Sequence, residues 1–320
     1  MFLDKKGFQT MKCSYISLIA LFLCHDVFAM DPSPVLPVRK ATGLELFDKT
    51  VVTEAQSILN KWKYKDQVAT RGMSLPHIVG IGGPSGSGKS FLFESIAREL
   101  NLAPIKEDGV AVLNESTDIF GRTIISKLKI EIEGIFMGAH KKYAGKQSSI
   151  ICLQNSELIM SPRFKIRELA MAWLKYETQY HSLCDHDVLL VLEFNNDRQD
   201  DIHFFNHACD QLIMLEAPTK LIRKSILEYH ISRVCGTCEA DVSADKYVER
   251  TEGFLPRALS KLAEIAAAAA IAKASEATLF MSVVTCKDFE NALTIMGASD
   301  SDAHSKKNEM TSEVRFALYG

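Results

Sequence analysis

Apolar positions along the chain change their period once, near residue 218. Up to that point, short apolar runs alternate with stretches in which apolar residues recur every three or four positions. The runs at 76–82, 109–113, 149–154, 187–194 and 211–216 predict strands, and 91–100, 123–139, 163–180 and 201–208 predict helices. This alternation predicts a parallel sheet with helices on its faces, an α/β core. Beyond Pro218 only the helical period remains, over 219–234, 243–251, 256–275 and 286–296, which predicts a small all-α lid. The helix with alanines from 266 to 270 has little side-chain bulk, so a neighbour can pack close to it. Ahead of the core, residues 49–61 put Val51, Val52, Ala55, Ile58 and Leu59 on one helical face. That helix ends at Trp62 and Tyr64, among Lys61, Lys63 and Lys65. The expected organisation is a targeting segment over 1–29, a linker and leading helix over 30–72, the core over 73–218 and the lid over 219–297. Residues 298–320 lack periodicity and are expected to be a disordered tail.

The first segment reads as an address. Lys5, Lys6 and Lys12 precede a short apolar stretch over 15–24, and Val27-Phe28-Ala29 closes it with small residues where a signal peptidase cuts. That is the pattern of a secretory signal peptide. No apolar run reaches the roughly 20 residues a spanning helix needs, so none is expected in the mature chain. With 47% hydrophobic and 24% charged residues among 320, the composition is that of a folded globular protein. A net charge of −3 without a basic segment excludes nucleic-acid binding through a general electrostatic surface. Of the cysteines, only Cys235 and Cys238 have motif spacing. One such pair is a weak zinc signal; it reads as structural or, in an oxidising compartment, as a small disulfide loop. Cys152 falls inside an apolar run and reads as a core residue.

One motif carries chemistry. After the apolar run that ends at Gly82 comes Gly83-Pro84-Ser85-Gly86-Ser87-Gly88-Lys89-Ser90, followed by the helical pattern that begins at Phe91. Strand, glycine loop and helix in this order are the context of a phosphate-binding P-loop, the Walker A motif. Glycines let successive backbone N–H groups turn inward, and the helix N-terminus adds partial positive charge. In this reading residues 83–91 bind a nucleoside triphosphate, Lys89 reaches the β- and γ-phosphates, and the Ser90 hydroxyl binds Mg²⁺.

Core first and helical lid second resembles an AAA+ ATPase over about residues 44–296, most similar in pattern to the mitochondrial-membrane "ATPase family AAA domain-containing" type. Three stretches besides the P-loop carry the resemblance. Val191-Leu192-Glu193-Phe194-Asn195-Asn196 is similar to the strand that ends in the sensor-1 residue, which gives Asn195 that catalytic role. The segment from Cys209 to Pro218 resembles the end of the core. Thr251-Glu252-Gly253-Phe254-Leu255-Pro256-Arg257 resembles the start of the sensor-2 helix, which sets Arg257 toward the γ-phosphate. The resemblance implies ATP and Mg²⁺ as ligands, hydrolase chemistry and a homo-oligomer. It names no protein substrate, since residues 114–122 hold no aromatic pore loop.

Departures from the family pattern restrict the chemistry that the resemblance implies. Where the family's third strand ends in an Asp-Glu pair, for Mg²⁺ and for the attacking water, this chain has Gln154-Asn155. Amides can orient a water but cannot take its proton. The arginines that usually precede the end of the core are replaced by His207-Ala208. Such a finger can be worth ~10³–10⁵ in rate. Arg163, Arg167 and Arg198 are the remaining candidates for that role from a neighbouring subunit. ATP binding with slow or lost hydrolysis is therefore expected. Glu193 is a candidate to act on Mg²⁺ or water in place of the missing acid, and Glu157 is a second. Two other readings stand beside this one. The P-loop stretch also resembles uridine-kinase-like small-molecule kinases, although the chain lacks an arginine-rich lid; insertion of the Val191 strand between the P-loop and Ile150 strands separates the two. The third is a non-catalytic module gated by nucleotide. Trp62 is either a base-stacking residue or part of the core. Export and a nucleotide ligand are reconciled by secretion, for instance from a bacterium, into another ATP-containing compartment. A misread import signal or retention by an uncleaved N-terminus are the other resolutions.

Overall fold

The computed structural model describes residues 43–117, 124–142, 148–160, 166–184, 186–234, 237–239, 241–273 and 283–297. The expected signal peptide, the linker up to residue 42, the tail, Arg163 and Cys235 lie outside the described residues.

Five strands, β1 (Ile78–Gly82), β2 (Pro104–Asp108), β3 (Ser148–Gln154), β4 (Asp187–Phe194) and β5 (Gln211–Met214), form one all-parallel sheet in the order β2-β3-β4-β1-β5. Helices α1 (Lys49–Lys63), α2 (Lys65–Thr70), α3 (Lys89–Glu99), α4 (Gly109–Glu115), α5 (Ile125–Lys142), α6 (Ser156–Ile159), α7 (Arg167–Leu183) and α8 (Gln199–Ala208) precede or connect them. The strand β4 therefore lies between β1 and β3.

Both faces of the sheet are covered, which is why β4 is buried at every position after its first. On one face Val79, Ile81, Ile150, Cys152, Leu189 and Val191 pack with Ala55 and Leu59 of α1 and Leu92 and Ile96 of α3. The leading helix is thus part of the core rather than an appendage. On the other face Ile151, Leu153, Leu190, Leu192 and Phe194 meet Leu128, Ile132, Leu174 and Phe205 of α5, α7 and α8. Phe194 and Phe205 stack with ring centroids 4.0 Å apart and planes 14° from parallel. Trp62 is buried, and its indole N–H donates to the Pro76 carbonyl at 2.9 Å. The Asp210 carboxylate accepts from the backbone N–H groups of His77 and Ile78 at 2.8 and 2.9 Å, tying the start of β1 to the start of β5.

The second strand departs from expectation. Residues 109–113, expected as a strand, belong to α4, because Asp108 accepts from the Val110 N–H at 3.0 Å and caps a helix there. The strand itself is the preceding Pro104–Asp108, whose only buried side chain is Ile105. As an edge strand it needs little apolar surface.

After the core come α9 (Lys220–Val234), α10 (Ala244–Tyr247), α11 (Pro256–Lys273) and α12 (Cys286–Ile295). Ala263, Ala266, Ala267 and Ala270 of α11 are buried with Leu227 of α9 and Phe289, Ala292 and Leu293 of α12. Small side chains here allow close packing of helices. Tyr247 stacks on Phe289 at 4.9 Å. This lid is not all-α, since Thr237–Cys238 and Val283–Val284 (β6 and β7) pair as a two-stranded parallel ribbon. Runs of two residues are too short to leave a period in the sequence. Among the described residues no helix is long and apolar enough to cross a membrane.

Phe205 has no exposed surface, so Phe205→Ala should cost about 3–5 kcal/mol. Phe204→Ala, on its half-buried neighbour, should cost clearly less, and urea unfolding of both variants checks the difference.

Candidate active site

All five strands run the same way, so their C-terminal ends share one edge of the sheet, where ligands bind in open α/β folds. Three of them deliver the site: β1 runs into the loop 83–88 and the start of α3, β3 ends at Gln154, and β4 carries Glu193 and is followed by Asn195. Alternation along the strands decides which side chains meet. Ile150, Cys152 and Gln154 of β3 point to one face, as do Leu189, Val191 and Glu193 of β4, and β3 and β4 pair up to Leu153 and Leu192. Gln154 and Glu193 therefore emerge side by side, beside the first turn of α3.

The loop adopts a conformation that its glycines permit. Gly86 and Gly88 have φ of 82° and 98°, where other residues are strained. At Gly86 a Cβ would also come within 3.0 Å of Arg257 Cβ, and the Arg257 N–H donates to the Gly86 carbonyl at 3.1 Å. Gly88 is the last residue before α3, whose N-terminus faces the cavity.

That cavity, of about 480 Å³, lies between core and lid. Ser85, Gly86, Gly88, Lys89, Ser90, Phe91, Glu193, Asn195 and Arg257, all expected in the site, line it. Gly83 and Pro84 stand behind it, and their carbonyls accept from the Lys89 ammonium at 2.8 and 3.0 Å. The third acceptor for that ammonium is Asn195 Oδ1, at 2.9 Å. All three are neutral oxygens. Burial lowers the Lys89 pKa, while Glu193, Glu157 and Asp197 pull it back up. Ser87 is buried, and among the described residues its hydroxyl has no hydrogen-bond partner.

Around Ser90 the hydrogen bonds form a closed set. Its hydroxyl donates to Glu193 Oε2 at 2.9 Å and accepts from Gln154 Nε2 at 3.0 Å. Glu193 Oε1 accepts from the Cys152 thiol at 3.2 Å. Burial first, and then Glu193, raises the Cys152 pKa well above the usual thiol range, so the thiol keeps its proton. Asn155, in a left-handed conformation, donates from Nδ2 to Asp108 Oδ1 at 3.0 Å. Asn195 Nδ2 donates to Glu157 Oε1 at 2.9 Å, so the Asn195 amide links Lys89 to Glu157.

Sequence reasoning missed the apolar wall. Phe47, ahead of α1, and Tyr229, on α9, flank Phe91, with ring centroids 6.0 and 6.3 Å from it. These two rings, not Trp62, line the cavity, and Trp62 serves the core. The lid also contributes Arg233, one turn after Tyr229, so two guanidinium groups line the cavity from that side. The i, i+4 spacing of Tyr229 and Arg233 was the available signal, but nothing in it says which way the helix faces. Arg167 and Arg198 do not line the cavity; Arg167 lies over the Phe204 ring and Arg198 pairs with Asp201 at 3.6 Å. No model of a known protein family matches the chain, and no curated protein matches it.

Burial raises the Glu157 pKa from its ordinary value, against hydrogen bonds from the backbone and from Asn195 and the charge of Lys89. An acid with a raised pKa holds its proton more tightly in the folded chain, so it subtracts stability as pH rises from its ordinary pKa through the raised one. Glu157→Gln keeps an acceptor for Asn195 and removes the charge. Relative to wild type it should gain stability as pH rises above the ordinary carboxylate pKa, as read by urea midpoints. Parallel pH curves for the two proteins would contradict this.

Proposed function

We propose that this chain is an ATP-binding protein of the AAA+ type that takes up nucleotide with Mg²⁺, hydrolyses it slowly or not at all, and uses it to join core and lid. One observation carries the reading: Lys89, Ser90 and the N-terminus of an eleven-residue helix face one cavity at the C-terminal edge of a parallel sheet. Such an arrangement favours phosphate. Arg233 and Arg257 add positive charge from the lid, and Phe47, Phe91 and Tyr229 offer ring faces for a base.

The residues near Ser90 fit Mg²⁺. A hydroxyl and a carboxylate oxygen 2.9 Å apart are the hard donors this ion prefers. Bound with the nucleotide, the ion would neutralise phosphate charge. Slow turnover is the consequence of the amides: Gln154 and Asn155 end β3 without a group that can take a proton from water. Glu193, which lines the cavity, and Glu157, held by Asn195, are the candidates to do so. A uridine-kinase-like reading has less support, because β4 separates β1 from β3 and a helical lid comes after the core.

The test compares the full chain with its Lys89→Ala variant for Mg·ATP binding by calorimetry and for phosphate release. A lost charge-assisted contact should weaken binding by about 10- to 100-fold. Neither protein should release phosphate quickly. Equal binding by both would overturn the nucleotide reading, and fast Lys89-dependent release would overturn slow hydrolysis.

A further inference from the structure

The geometry points to Glu193 as the acid that positions Ser90 and Mg²⁺, with Gln154 present as its neutral partner rather than as a lost acid. The inference rests on the nucleotide reading of the same cavity and deepens it.

Glu193 is only 3% exposed, yet it borders the cavity. Burial of a carboxylate requires donors on both oxygens, and both have them. Oε1 takes the Cys152 thiol at 3.2 Å, and Oε2 takes the Ser90 hydroxyl at 2.9 Å, with Gln154 Nε2 also 3.5 Å away. Because the thiol fixes one oxygen, the other is aimed at Ser90. This is an orientation, not a chance contact.

The same distances explain the amide at 154. Its Nε2 lies 3.0 Å from Ser90 Oγ and 3.5 Å from Glu193 Oε2. A second carboxylate there would face Glu193 across that gap, and two like charges sharing one site repel. An amide instead donates to both oxygens. Gln154 and Glu193 thus form one unit, in which a single negative charge faces Ser90 from β4 and its neighbour on β3 must be neutral. Glu193 is a positioning residue in this scheme, since it acts through Ser90 and the ion.

The readout is the ratio of ADP dissociation constants without and with Mg²⁺, measured by calorimetry on the full chain. Wild type should bind ADP about tenfold or more tightly with Mg²⁺, the equivalent of one charge-assisted contact. In Glu193→Gln that ratio should fall toward one. In the double variant Gln154→Glu/Glu193→Gln, which returns a single carboxylate to the pair from the other strand, it should rise again. Gln154→Glu alone, with two carboxylates, should not exceed wild type. If Glu193→Gln does not fold, Glu193→Asp, which draws the carboxylate back from Ser90, should lower the ratio instead. A ratio that stays at the wild-type value in whichever of these two variants folds, or a double variant no better than Glu193→Gln, would overturn the inference while leaving nucleotide binding intact. A wild-type chain that binds no ADP in either condition would remove both.

Discussion

A carboxylate buried inside a parallel sheet has to be met by donors from every element that touches it. Glu193 imposes this demand on the whole C-terminal edge. The strand β3 answers with a thiol and an amide, and α3 answers with a hydroxyl. The position of α3 is in turn set by the loop that precedes it, and the loop leaves β1 beside β4. The backbone takes part too: the Gly83 N–H donates to the Phe194 carbonyl at 3.3 Å, one residue beyond Glu193, and the Ser156 hydroxyl donates to the carbonyl of Glu193 itself at 2.9 Å. Loop, strand ends and the short helix α6 are therefore held in mutual register by one residue and its neighbour.

Polar and apolar demands are divided between the two faces of β4. Leu190, Leu192 and Phe194 point into the core formed with α5, α7 and α8. Leu189, Val191 and Glu193 point toward α1 and α3, and of these three only Glu193, at the C-terminal end, is polar. A slip of one residue in β4 would turn Glu193 toward Phe205 and the apolar side of α5, α7 and α8, away from Ser90 and Cys152. Packing on one face thereby fixes the chemistry on the other.

Much of this was legible in the residues. The strand over 187–194 stands out to its last residue, because a continuous apolar run bounded by polar ends has few alternatives. The glycine loop and Lys89 are local features, so their spacing alone reveals them. Two kinds of feature were hidden. Pro104–Asp108 is an edge strand with one buried side chain, while the more apolar residues just after it form a helix under the Asp108 cap. Periodicity pointed to the wrong segment because the cap, a single hydrogen bond, decided between them. The second kind is contact between distant segments. Phe47, Phe91 and Tyr229 meet only once the lid has folded back over the core, and no period within any one segment records it. The amide at 154 was visible as a departure, but its relation to Glu193 depends on the pairing of β3 with β4.

The bond from the Arg257 N–H to the Gly86 carbonyl sets a mechanical consequence. It joins the second residue of α11 to a left-handed turn of the loop, so lid and loop are tied to each other there. Gly86 then serves two masters: it must turn the chain, and it must leave room for the Arg257 stem, whose Cβ would lie 3.0 Å from any side chain added there. Substitution at this glycine would press on the first turn of the lid helix α11 as well as strain the loop.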